Sequence, residues 1–115
     1  MPAYMIVLAR VHDREQFLAG YAAQAAQLVE EHGGRYVLRA PHGQVLEGDL
    51  DEDSSVVISE WPDMDSARRF WESDAYRSVV ELRRGICDAR VLLVEGELAG
   101  PVGGSSPAHD AEESP

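Results

Sequence analysis

Two ionisable side chains lie where the pattern of apolar residues predicts a core. Glu60 shares one face of a predicted strand with Val56 and Ile58. Arg83 shares one face of a predicted helix with Tyr76. A partly buried carboxylate has a raised pKa and can act as a base, and a guanidinium among apolar side chains needs an anion. We therefore expect Glu60 as a base and Arg83 as the group that binds a carboxylate or enolate, both lining one cavity between helix and sheet. A structural ion pair is the alternative.

Three aromatic residues at helical spacing could stack on a ligand in that cavity. They are Tyr21, Trp71 and Tyr76. Aromatic residues on a helix are more often part of the core. Substrate binding and plain packing therefore both remain open for these residues.

A long loop, 40–55, supplies a second group of candidates. Loops of this length are often functional. Arg39 and Glu47 could contact a substrate there, and His42 could act as a general acid or base near neutral pH. A lone loop histidine is more often simply exposed. A short strand extension at 44–46 is also expected within this loop.

The acidic residues of this loop resemble the ligand spacing of a calcium loop without its context. They are Asp49, Asp51 and Asp53, with Glu60 behind them. Ser54 occupies the position of the required glycine, and Glu60 falls in a strand, so we expect no metal. The histidines lack zinc spacing and Cys87 has no cysteine partner, so Cys87 is expected as a small buried hydrophobe. No phosphate-binding, dinucleotide or GxSxG motif occurs, and no cofactor is expected.

Charge and composition exclude several functional classes. The chain has 115 residues, 44% of them hydrophobic, and a formal net charge of −11, which predicts one folded domain. It lacks the basic stripe that nucleic acids and anionic membranes require. All ten basic residues are Arg, so Schiff-base chemistry on a lysine is excluded. No signal peptide and no run of ~20 apolar residues is seen, and a cytoplasmic location is expected.

The elements that position these candidates follow the order βαββαβ. Strands are predicted at 4–11, 35–39, 56–61 and 89–95. Asp13, Asp63 and Ser73 are expected to begin helices, and Gly33 to end the first one. This order predicts an α+β, ferredoxin-like sandwich, in which both helices cover one face of a four-stranded antiparallel sheet.

The strands also carry more apolar surface than the helices can cover. The first, third and fourth strands carry apolar residues at both odd and even positions. In an antiparallel sheet with one face in water, apolar and polar residues should alternate. A second copy covering the free face, in a symmetric homodimer, is the simplest solution. Residues 1–97 are expected to form this domain, and 98–115 a disordered acidic tail rich in Gly, Pro and Ser.

Several short motifs, in order, resemble the DUF1330 family. They are AYMIVLARV, HGGRYVLRA, VLEGDL, VVISEWPDMDSARRFW, SDAY and VLLVEG, which together span residues 3–96. This family is a domain of unknown function in the dimeric α/β-barrel superfamily. The resemblance implies a ferredoxin-like protomer and a dimeric barrel. Positions that match the family pattern are Gly34, Arg39, Glu47, Gly48, Glu60, Pro62, Tyr76 and Arg83. The acidic run 49–53 and the tail depart from it.

The superfamily resemblance and the ionisable residues on apolar faces lead to one main functional hypothesis. Relatives in the superfamily include cofactor-independent monooxygenases, isomerases, decarboxylases and haem-degrading proteins. We expect a cofactor-independent enzyme that abstracts a proton beside a carbonyl of a small organic acid or aromatic, polyketide-like metabolite, leading to isomerisation, cyclisation or oxygenation. A non-catalytic small-ligand-binding or accessory homodimer is one alternative. An interaction module that uses the acidic tail is another.

Overall fold

Three polar side chains begin the helical segments. The computed structural model describes residues 1–100. In it, Asp13 and Asp63 each accept a hydrogen bond from the backbone N–H three residues later, at 3.0 and 2.7 Å. Ser73 does the same at 3.1 Å. These bonds satisfy backbone donors that a first helical turn leaves free, and they confirm all three predicted helix starts.

The observed elements follow the predicted order. The strands are β1 (Ala3–Val11), β2 (Arg35–Ala40), β3 (Ser55–Trp61) and β4 (Cys87–Glu95). The first helical run comprises α1 (Arg14–Gln16), a π-helical segment (Phe17–Ala22) and α2 (Ala23–Glu31). The second comprises α3 (Met64–Glu72), α4 (Asp74–Val80) and a 3₁₀ turn (Glu81–Arg83). None of the helices within residues 1–100 is both long and apolar enough to cross a membrane.

All four strands form one antiparallel sheet in the order β2-β3-β1-β4. β1 lies in the interior, where Ala3 pairs with Trp61 of β3 on one side and with Glu95 of β4 on the other. The face with Ala3, Met5 and Trp61 packs against the helices. We call this the helix face and the opposite one the outer face. The predicted α+β, ferredoxin-like fold is confirmed.

Trp61 is the largest fully buried side chain of the core, with 1% of its surface exposed. Its Nε1 donates a hydrogen bond to Ser59 Oγ at 2.9 Å, so the one polar atom of the ring is satisfied. The ring lies 5.0 Å from that of Phe70, centroid to centroid. It also lies against Gly34, where an added Cβ would come within 2.8 Å of the indole. The absence of a side chain at Gly34 therefore makes room for the ring.

Three local features differ from the sequence prediction. The first helix contains a π-helical segment where a continuous α-helix was expected. A β-bulge interrupts the pairing of β2 between Tyr36 and Leu38. The predicted strand extension at 44–46 was wrong, because these residues lie in an irregular loop. Of the predicted tail, 98–115, all but the first three residues lie outside the described part of the chain.

We expect Gly34→Ala to lower the free energy of unfolding by about 1–3 kcal/mol, the usual cost of overpacking a core. The added methyl group would collide with the Trp61 ring. Urea unfolding at fixed protein concentration measures the effect. Gly20→Ala is the matched control, because a Cβ there meets nothing within 4 Å and alanine favours a helix. Equal stability of Gly34→Ala and the wild type would contradict this packing.

Candidate functional site

A cavity of about 320 Å³ lies between the helix face of the sheet and the first helical run. This volume is near the lower end of the range of about 300–1,000 Å³ that is typical of small-molecule sites. Its buried end is formed by Met5, Val29, Phe70 and Tyr76, and its other end by the exposed residues Arg14, Leu18, Arg39 and Pro41. We call the exposed end the mouth.

The sequence leaves this space open by placing small side chains opposite the sheet. Ala22, Ala25 and Ala26 line the cavity from the first helical run. The π-helical segment brings Phe17 and Tyr21 into the same wall, with ring centroids 5.2 Å apart. Such segments occur frequently at functional sites, because the widened turn redirects side chains. Side chains of the four strands form the floor, and most of them, such as Met5, Val7 and Val91, are apolar.

Three polar side chains meet in one part of the cavity, which we call the polar corner: Tyr21, Tyr76 and Arg83. The hydroxyl oxygens of Tyr21 and Tyr76 lie 2.6 Å apart in a hydrogen bond. The guanidinium carbon of Arg83 lies 5.4 Å from the centroid of the Tyr21 ring. Trp71 also lines the cavity and packs on Tyr76, with ring centroids 5.4 Å apart. The four residues predicted on helices are therefore brought together.

The polar corner combines a cation, Arg83, with a hydroxyl group that stays neutral, that of Tyr21. Burial, followed by the nearby Tyr76, raises the pKa of Tyr21 above its ordinary value. Burial alone would lower the pKa of Arg83, but the hydroxyls of Tyr76 and Tyr21 outweigh this and raise it. Arg83 therefore stays charged and Tyr21 stays protonated near neutral pH. This arrangement can donate hydrogen bonds to an anion.

The charged side chains that line the cavity, among the described residues, are all arginines: Arg14, Arg39 and Arg83. Arg39 stacks on the Tyr36 ring, 4.9 Å from its centroid. Arg14 donates to the backbone oxygen of Pro41 at 3.4 Å. The cavity is therefore positive although the whole chain has a formal charge of −11.

Glu60 does not face this cavity, so the prediction of a site shared with Arg83 was wrong. Glu60 lies on the outer face, where Tyr4 donates a hydrogen bond to its Oε2 at 2.6 Å. Arg35 forms an ion pair with its Oε1 at 2.5 Å. The hydrogen bond from Tyr4, and then Arg35, hold the pKa of Glu60 below its ordinary value despite partial burial. The expected raised pKa was therefore also wrong.

Two of the three loop candidates, His42 and Glu47, do not line the cavity. His42 and Glu47 are both exposed. The His42 Nδ1 and the Asp53 Oδ1 lie 2.8 Å apart. Of the loop-mouth candidates, Arg39 alone lines the cavity.

Three further lining residues were missed or assigned differently from the sequence. Cys87 is buried, as predicted, but it also lines the cavity, and burial raises the pKa of its thiol. Tyr36 pairs with Ser59, two residues before Trp61, so strand parity could have placed it on the helix face. Nothing in the sequence marks Arg14.

Within residues 1–100, no three His, Cys, Asp or Glu side chains cluster in a way that could hold a metal ion.

The outer face of the sheet is largely apolar, and none of the helices within residues 1–100 covers it. Alternate residues of β1, β3 and β4 point there, opposite to the helix face. They include Ile6, Leu8, Val56, Ile58, Leu92 and Val94. Leu92, on the edge strand β4, exposes 58% of its surface, and Leu38, on β2 at the opposite edge of the sheet, exposes 43%. A continuous apolar sheet surface of this kind is typical of an association site.

The chain matches the model of one protein family. The family is described as "Domain of unknown function (DUF1330)", and the match spans residues 2–97. The chain has no match among curated proteins.

Similar solved structures share the fold. A protein of unknown function from Rhodopseudomonas palustris has a TM-score of 0.71 and 23% identity, covering 85% of this chain and 84% of that one. SnoaB, a cofactor-independent oxygenase from Streptomyces nogalater, has a TM-score of 0.63 and 19% identity, covering 87% of this chain and 97% of that one. A protein from Bacteroides thetaiotaomicron, described as a possible oxidoreductase, has a TM-score of 0.60 and 14% identity, covering 83% and 97%. Similarity at these identities establishes the fold alone.

We expect Glu60→Gln to flatten the acid side of the stability profile. Because the pKa of Glu60 is lower in the folded state, its contribution is present above the unfolded pKa and is lost as pH falls through the folded pKa. Urea unfolding from neutral pH into the acid range measures this slope. Glu47→Gln, at an exposed loop position, should keep the wild-type slope. An unchanged slope in Glu60→Gln would show that its contacts with Tyr4 and Arg35 do not stabilise the fold.

Proposed function

The chain belongs to the DUF1330 family, described as a domain of unknown function, and from this premise we propose that it is a homodimeric, cofactor-independent enzyme. It acts on a small organic acid or an aromatic, polyketide-like metabolite. The reaction begins with loss of a proton beside a carbonyl and leads to isomerisation, cyclisation or oxygenation. The observation that carries this proposal is the apolar cavity of about 320 Å³ with Tyr21, Tyr76 and Arg83 at one corner.

The polar corner suits the chemistry of an enolate. Loss of a proton beside a carbonyl places negative charge on the carbonyl oxygen. A guanidinium and a hydroxyl that are already in position stabilise such a charge, most strongly where water is excluded. Burial of Tyr76 and partial burial of Tyr21 and Arg83 provide that environment. The fold shared with SnoaB adds support by analogy only, because one fold serves many functions.

The base in this proposal differs from the one expected from the sequence. Glu60 points to the outer face and is paired with Tyr4 and Arg35, so it does not reach a ligand in the cavity. His42 lies in the exposed loop. The substrate therefore has to be acidic enough to lose its proton without a base from the protein. Water at the mouth accepts that proton.

A non-catalytic small-ligand-binding homodimer is the second candidate. It is favoured by the charged groups of the cavity wall, which among the described residues are arginines and include no carboxylate. Such a wall binds an anion without supplying a base. Both candidates predict ligand binding, and proton exchange on a bound ketone distinguishes them.

The outer face supports the homodimer in both candidates. Apolar side chains of β1, β3 and β4 form one surface, and charged residues such as Arg35 and Glu60 lie at its margin. A second copy related by a two-fold axis presents the same surface, so the two apolar faces are complementary by symmetry. The interaction-module alternative depends on the tail, most of which lies outside the described residues.

We expect the protein to accelerate hydrogen–deuterium exchange at the carbon between the ring and the carbonyl of 2-tetralone, an aromatic ketone. NMR in deuterated buffer measures this exchange. Arg83→Gln should slow it by about 10- to 100-fold, the loss expected for a hydrogen bond to a charged oxygen. Arg77→Gln is the matched control, because Arg77 stacks on the Trp71 ring, at 5.6 Å, and does not line the cavity.

Binding without exchange would favour the second candidate. Quenching of tryptophan fluorescence reports binding separately, because Trp71 lines the cavity. If the wild type neither binds nor exchanges the ketone, the enzymatic proposal loses its support for this class of substrate.

We expect Leu92→Asp to convert the homodimer into a monomer. Leu92 is the most exposed large apolar residue of the outer face, so the substitution should leave the protomer core intact while placing a charge in the interface, where desolvation is costly. Light scattering after size-exclusion chromatography measures the mass. Ala19→Asp, at an exposed position of the π-helical segment, should stay dimeric. A wild-type monomer at micromolar concentration would contradict the dimer.

A further inference from the structure

The donors and charges of the polar corner indicate which form of a ligand the cavity accepts. We propose that the cavity binds its ligand as the anion of a weak oxygen acid, a phenol or an enol, with the charged oxygen at Tyr21, Tyr76 and Arg83. This inference rests on the proposed function, because it assigns the chemical class and the ionisation state of the ligand in the same cavity.

A count of hydrogen-bond donors supports an anionic oxygen. Within the pair of hydroxyls, 2.6 Å apart, one proton is used in the bond between them and the other remains free to donate. The Arg83 guanidinium is only a donor and never an acceptor. A ligand oxygen that accepts from both groups gains most when it carries the negative charge. A neutral hydroxyl in its place would leave the guanidinium without a counter-ion.

The surroundings strengthen this preference. Aromatic and aliphatic side chains form most of the wall, and a low dielectric strengthens the attraction between two charges. Phe17, Tyr21 and Trp71 present ring faces or edges to the space, which suits a planar ligand. Arg14 and Arg39 at the mouth attract an anion along its path of entry. A planar hydroxyarene or the enol of an aryl ketone fits these features.

The proton balance of this binding step is simple. The O–H bond of the ligand breaks, the electron pair stays on the oxygen, and the proton passes to water or buffer at the mouth. No oxidant or reductant takes part. Between the pKa of the bound ligand and that of the free ligand, about half a proton or more is therefore released for each ligand bound. An opposite charge within about 4–6 Å lowers a pKa by about 1–3 units, so we expect the bound ligand to ionise at least about 1 unit lower.

The test uses 4-nitrophenol, whose neutral and ionised forms absorb at different wavelengths. Its ionisation is followed by absorbance across pH in the presence of saturating full-length protein. We expect the apparent pKa of the bound probe to fall by at least about 1 unit, equivalent to about tenfold tighter binding of the phenolate than of the phenol. Arg83→Gln should abolish the shift, Arg83→Lys should retain most of it, and Arg77→Gln should leave it unchanged.

A neutral probe separates failure of this inference from failure of the proposed function. 4-Nitroanisole has the same ring without an acidic proton. If it binds and 4-nitrophenol binds with an unshifted pKa, the inference is wrong and the cavity remains a ligand site. If neither probe binds, the inference and the proposed function both fail. An equal loss of the shift in Arg83→Gln and Arg77→Gln would assign it to general surface charge and overturn the inference.

Calorimetry provides a measurement that does not depend on the folding of a variant. Binding of 4-nitrophenol to the wild type is measured below the pKa of the free probe, in two buffers with different enthalpies of protonation. Midway between the free and bound pKa values, a fall of about 1 unit releases about half a proton per bound probe, so release of this amount or more supports the inference. Release of no proton means that the neutral phenol is bound, which contradicts it.

Discussion

The alternation of side chains along each strand is the constraint on which the rest of the structure depends. A sheet has two faces, and the helices of residues 1–100 cover one of them. Side chains at Ala3, Met5 and Trp61 enter the core, while their immediate neighbours point the other way. The same rule turns Glu60 of β3 to the outer face, whereas Arg83, on the second helical run, lines the cavity. The two charged side chains are therefore separated by the sheet, and Glu60 pairs with Tyr4 and Arg35 on the outer face.

The cavity exists because side-chain sizes are unevenly distributed across it. Alanines on the first helical run face aromatic rings from the second, and the core near Trp61 is tightly filled. Close packing of the core near Trp61 therefore holds the walls of the cavity in position. The arginines at both ends then give that space a charge opposite to that of the whole chain.

Local signals gave most of the fold correctly, and the faces of the strands were the hardest part to assign. Helix caps such as Asp63 depend on a hydrogen bond between near neighbours in sequence, so the sequence displays them directly. The face to which Glu60 points depends on which side of the sheet the helices pack. Because β3 carries apolar residues at both odd and even positions, its sequence does not indicate that side. Tyr76 and Arg83 were placed together because helical spacing fixes their common face. Arg14 was missed because its contact with Pro41 joins distant segments.

The π-helical segment, Phe17–Ala22, has a consequence for how this cavity can diversify. Such a segment holds one residue more per turn than an α-helix, and each α-helical residue accounts for a rotation of about 100°. Deleting a single residue there would restore regular winding and swing Phe17 and Leu18 around the helix axis relative to Tyr21. The sheet and its pairing would stay as they are. Deletion of a single codon would therefore change the shape of the cavity while the sheet keeps its strand order.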